Sequence, residues 1–162
     1  VFAGFVFDPR FRDLDADGYP ELVLHTLRPD LIDQIRSAST ETIDTDLYVY
    51  RNRGGVLARQ PDLARSHAVA LSEFELSAEF FGDVSGDGLS DLLVRDEPEK
   101  LRVLMLRAQG PREKSTWTLV EKPLWELSVT ADARVQLVAP NQTERAGLFV
   151  LEPAQVLWVR FR

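Results

Sequence analysis

Two short stretches of this 162-residue chain place oxygen-bearing side chains at alternating positions around a glycine. In the stretch from Asp83, the residues Asp83, Ser85, Asp87 and Asp91 stand at positions 1, 3, 5 and 9, with Gly88 at position 6 and Leu89 at position 7. The stretch from Asp13 repeats the spacing with Asp13, Asp15, Asp17 and Glu21, Gly18 at the turn and Tyr19 after it. This is the spacing a hard cation requires. Ca²⁺ takes about 6–8 oxygens at roughly 2.3–2.6 Å, and alternate residues of a tightly curled loop turn their side chains inward. The residue after the glycine can add its backbone carbonyl, and the glycine itself admits the left-handed turn. The expected cofactor is therefore Ca²⁺, one ion per loop. The expected ligands are Asp13, Asp15, Asp17, the carbonyl of Tyr19 and Glu21 in one loop, and Asp83, Ser85, Asp87, the carbonyl of Leu89 and Asp91 in the other.

The flanks decide what kind of calcium loop this is. An EF-hand needs a bidentate acid at position 12, on the helix that follows. Here that position is Leu24 in the first loop and Val94 in the second, each inside a short apolar run, Glu21-Leu22-Val23-Leu24 and Asp91-Leu92-Leu93-Val94. Such runs read as buried strands. EF-hand and dockerin-type loops are both excluded.

Phe81-Gly82 followed by Asp83-x-Ser85-x-Asp87-Gly88-x-x-Asp91-Leu92 resembles the FG-GAP repeat, also known from VCBS-type repeats and the integrin α-subunit head. The first copy has Phe11-Arg12 in place of Phe-Gly and Glu21 in place of the last Asp, and neither copy carries the Gly-Ala-Pro found in integrins. The resemblance implies an all-β fold of four-stranded antiparallel β-propeller blades, with each calcium loop joining a blade's first two strands.

The chain divides accordingly. Residues 1–11 read as a strand entering the first loop, and Glu21–Thr26 as the strand leaving it. Leu31, Ile32 and Ile35 recur at helical spacing after Pro29-Asp30, so a short helical insertion is expected over 28–38. Asp46–Arg51 is a strand, Asn52-Arg53-Gly54-Gly55 a turn, and His67–Leu71 the outer strand of the unit. The second unit runs from Glu73–Phe81 through its loop to Leu101–Arg107, with Ser115–Val120 as the expected outer strand. Period alone yields a third unit with strands at Val135–Ala139, Gly147–Leu151 and Gln155–Phe161; its loop, Pro140–Ala146, has no acid cluster and should bind no calcium. About three blade units follow, 1–72, 73–130 and 131–162, as one segment of a repeat protein. A closed propeller has about four to eight blades, so further blades are expected from the parent chain or another copy.

Composition narrows the function. A formal net charge of −7 argues against nucleic acid as a partner. No apolar run approaches the ~18 residues of a membrane span. There is no cysteine to form a disulfide framework or a zinc set, and His25 and His67 are the only histidines. The first residues carry no leader pattern, so a signal peptide is expected to be removed or to lie outside them. No nucleophile, phosphate-loop or dinucleotide motif is present. Trp117, Trp125 and Trp158 read as packing residues rather than a sugar platform. The expectation is a non-enzymatic, calcium-binding scaffold of a secreted, cell-surface or periplasmic protein, with a protein or glycan ligand. The alternative is an accessory propeller of an extracellular enzyme whose catalytic part lies outside this chain.

Overall fold

The computed structural model describes residues 5–27, 42–70, 78–97, 99–111, 115–138 and 147–161. Among these the secondary structure is strand throughout, with no helix. The chain forms two compact units, Val1–Phe74 and Glu75–Arg162. The expected helix over 28–38 lies outside the described residues, as does the third loop, 140–146.

The first unit contains β1 (Phe5–Arg12), β2 (Glu21–Leu27), β3 (Thr42–Tyr50), β4 (Asn52–Arg53), β5 (Val56–Leu57) and β6 (Leu63–Ala70). Four of them form an antiparallel sheet in the order β1-β2-β3-β6. Glycine chemistry makes the side hairpin between β4 and β5: Gly54 and Gly55 both take positive φ, +63° and +92°, as a tight primed turn demands. In the central strand β2, Val23, Leu24, His25 and Thr26 are consecutive buried residues. Burial on both faces explains why its sequence is a continuous run rather than an alternation.

The second unit contains β7 (Ala78–Gly82), β8 (Asp91–Glu97), β9 (Lys100–Leu104), β10 (Leu106–Gln109), β11 (Thr116–Leu119), β12 (Trp125–Ser128), β13 (Arg134–Val138), β14 (Gly147–Glu152) and β15 (Gln155–Arg160). Its first sheet has the order β12-β9-β8-β7, and its second is an antiparallel β13-β14-β15. The three strands expected from period alone are thus one sheet. Leu93, Leu101, Val103, Leu148, Val150 and Phe161 are buried in one apolar cluster between these two sheets. Each fully buried large apolar side chain of this cluster contributes roughly 1.5–3 kcal/mol. A buried cation closes the joint: the Arg95 guanidinium, from β8, donates to the carbonyls of Thr130, Ala131 and Ala133 in the turn before β13.

Residue by residue, the two four-stranded sheets repeat. Leu22 pairs with Tyr50 as Leu92 pairs with Leu104, and Val49 pairs with Leu63 as Val103 pairs with Trp125. Beyond the third strand, the Ala58 amide donates to the Arg51 carbonyl as Val120 does to Met105, at 2.8 and 2.9 Å. This register corrects one expectation. Ser115–Val120 is not the outer strand of the second unit: Thr116–Leu119 pairs with β10 as a side hairpin, the counterpart of β4-β5, and Trp125–Ser128 takes the outer place. An alternating run such as Thr116-Trp117-Thr118-Leu119 fits either position, and only the pairing partner decides.

Candidate metal centre

Both acidic loops sit at the corner between the first and second strands of their sheets, β1 to β2 and β7 to β8. Each is curled by its own aspartates. In the first loop, Asp13 accepts the amides of Asp17 at 3.2 Å and Gly18 at 3.0 Å, and Asp17 accepts the amide of Tyr19 at 2.8 Å. The second loop repeats these bonds, Asp83 accepting from Asp87 and Gly88 and Asp87 from Leu89. Gly18 and Gly88 take φ of +85° and +89°, the left-handed turn expected of position 6. Two further bonds, from the Gly86 amide and the Ser85 hydroxyl to Asp83 Oδ1, tighten the second loop.

Position 9 does something the spacing alone did not reveal. Glu21 and Asp91 are fully buried. Glu21 Oε2 accepts the Leu14 amide at 2.8 Å, and its Oε1 accepts the Asn52 amide at 3.3 Å. Asp91 Oδ2 accepts the amides of Val84 and Ser85 at 2.9 and 2.7 Å, and its Oδ1 accepts that of Leu106 at 3.2 Å. Each acid therefore ties its loop to the chain just past the third strand of its sheet. A glutamate in the first loop and an aspartate in the second make the same connection.

Burial sets the electrostatics. Desolvation pushes the Glu21 carboxyl up to about 7; the Leu14 and Asn52 amides work against it, and the neighbouring charges of Asp15 and Asp17 add to it. Burial also raises Asp91, against the pull of three backbone amides, and raises Asp15, with Asp17 adding to the rise and Arg51 opposing it. Each of these groups gives up its proton less readily than a free carboxyl because its negative charge lacks solvent. A bound cation would supply the missing compensation.

The loops differ in how far their acids converge. Asp13, Asp15 and Glu21 each offer a carboxylate oxygen, all within 4.8 Å of one another, and could hold a metal ion. Among the described residues no comparable group forms in the second loop. Ser85 stands there in place of Asp15, so the second loop has one carboxylate fewer. Asp17, Asp83, Ser85, Asp87 and Asp91 thus lie in the expected loops but outside the convergent triad. The amides of Tyr19 and Leu89 are fixed by Asp17 and Asp87. In the first loop the Asp15 side chain is 10% exposed, and its buried Oδ1 has no hydrogen-bond partner. Such an atom is costly unless something compensates it.

Arg51 was not among the expected site residues. Its guanidinium meets Asp15 Oδ2 at 3.3 Å, and its side chain is 6% exposed. An arginine ending a strand carries no signal in the sequence; its place beside Asp15 follows from the β2–β3 register.

The three tryptophans each pack against the fold, Trp158 with about half of its surface exposed. Trp117 is buried, and Trp125 packs edge-on against Phe161 with ring centroids 5.4 Å apart. Trp158 lies over Phe149 at 4.3 Å. Among the described residues no helix is long and apolar enough to cross a membrane. No family model matches the chain, and a search of the curated proteins finds no match to it.

Proposed function

We propose that this chain is a calcium-binding scaffold of the FG-GAP type, its four-stranded sheets serving as β-propeller blades in a secreted, cell-surface or periplasmic protein that binds a protein or glycan ligand. The observation that carries this reading is the recurrence of one loop, with the same three aspartate-to-amide bonds, at the same corner of two sheets with the same strand order, with a buried Asp15 oxygen left without a partner in the first. A structural loop needs its glycine and its Asx bonds. It does not need three convergent carboxylates, one of them fully buried.

In this reading the ion compensates the clustered acids and stiffens the corner between the first two strands, and the protein is non-catalytic. Calorimetric titration with Ca²⁺, beside thermal melts with calcium and with a chelator, tests it. An ion bound at each loop and a clear rise in melting temperature are expected, because a ligand that binds only the folded state stabilises it. Absence of both heat and shift at millimolar calcium would overturn it.

A further inference from the structure

The two loops reach the same charge by different routes. The first has four carboxylates, Asp13, Asp15, Asp17 and Glu21, and the second has three, Asp83, Asp87 and Asp91, with Ser85 at the place of Asp15. The first loop also has a guanidinium laid against it, Arg51 on Asp15 Oδ2 at 3.3 Å. At the corresponding place past the third strand the second sheet has Met105, as the matching bonds from Ala58 to Arg51 and from Val120 to Met105 define. The extra acid and the extra base occur together. With Arg51 counted, the first loop carries the same net charge as the second.

We propose that Arg51 is a tethered counter-cation of the first loop, which competes with a divalent ion for the Asp15 carboxylate and holds that loop's calcium affinity below what its four acids would otherwise give. This rests on the reading of the first loop as a calcium site. Two effects of Arg51 oppose each other. Its hydrogen bond orients Asp15 and leaves Oδ1 directed at no other protein group, which favours an ion. Its positive charge, one carboxylate away from the ion, repels it. The charge term wins: even at the dielectric of water, a divalent and a monovalent cation separated by one carboxylate repel by an amount equal to about tenfold in affinity, and a half-buried site screens less. Loss of one orienting bond to an already buried side chain is the smaller effect. Removing the charge of Arg51 should therefore move the first loop's response to lower calcium.

The test uses the whole chain with the second loop silenced by Asp83→Ala, so that calorimetry reads the first loop alone. Arg51→Met, which installs the residue of the second sheet, and Arg51→Gln, which keeps a donor and removes the charge, are compared in that background, each checked for folding by circular dichroism. Both variants are expected to bind Ca²⁺ about tenfold more tightly than Asp83→Ala alone. Binding that appears only once Arg51 is replaced would support the proposal equally. Affinity unchanged or weakened in a folded variant overturns it and leaves the calcium reading standing. Calcium heat absent at millimolar concentration from all three folded proteins overturns the proposal together with the reading of the first loop as a calcium site.

Discussion

Glu21 and Asp91 are two buried acids that make one and the same connection, each joining the second residue of its loop to the second residue beyond the last β-pair of the third strand: Leu14 to Asn52 through Glu21, and Val84 to Leu106 through Asp91. Glutamate reaches one loop amide and aspartate two, since Asp91 also accepts from Ser85. The loop and the third strand are therefore held together before any ion is considered.

That role is separable from metal binding. Asp91→Ala strips the acceptor from three backbone amides at a fully buried position, and a loss of about 3 kcal/mol is expected. Asp91→Asn, which keeps one acceptor oxygen, should cost less. Denaturant unfolding in the presence of chelator checks this. A loss seen only with calcium present would make Asp91 a ligand and nothing more.

The raised carboxyls set a pH dependence of opposite sign to that of a salt-bridged acid. The Glu21 carboxyl titrates near 4.5 when unfolded and at about 7 when folded, so between these values the native state holds the extra proton. Its contribution is fully present below pH 4.5 and lost as pH rises through about 7; it amounts to at most about 3 kcal/mol. Asp15 and Asp91 shift in the same direction. Chelated protein should therefore melt at higher temperature at pH 5 than at pH 8, and Glu21→Gln should flatten the difference. With calcium bound the ionised form is favoured, the pH trend should weaken or reverse, and ion binding near pH 6.5 should release protons, visible as a buffer-dependent heat.

Ala16 takes φ of +53° at the place where the second loop has Gly86, at +83°. A Cβ at Gly86 would meet nothing within 4 Å, so the cost of an alanine at this position is backbone strain alone. Ala16→Gly should stabilise the first loop by up to about 1 kcal/mol, and Gly86→Ala should destabilise the second by a similar amount. The melting temperatures of the two single variants, moving in opposite directions, provide the check.

Gly147 is buried under the indole of Trp158, whose Cη2 would lie 2.5 Å from an added Cβ. The ring rests on Phe149 and would have to slide off that contact. Gly147→Ala should cost about 1–3 kcal/mol, as overpacking does, and should shift Trp158 fluorescence. A Trp158→Ala background should largely remove that penalty.

Much of the strand pattern was legible because local chemistry dictates it. Acids at positions 1 and 5 with glycine at 6 curl a loop by short-range bonds to its own backbone, so Asp13, Asp17, Asp83 and Asp87 could be placed without any partner in view. The apolar runs Leu22–Leu24 and Leu92–Val94 likewise announced central strands, since burial on both faces leaves no polar alternation. What only the tertiary structure decided were the contacts set by pairing between distant strands. Register made 116–119 a side hairpin and 125–128 the outer strand, because an alternating strand pairs equally well in either place until a partner is chosen. Register also put Arg51 against Asp15, 36 residues away in the chain, and brought Asn52 and Leu106 to the buried acids. In the sequence Glu21 and Asp91 are the last acids of a calcium spacing; their use as clamps arises because a buried carboxylate must find donors, and the fold supplies them from strands the loop does not itself contain.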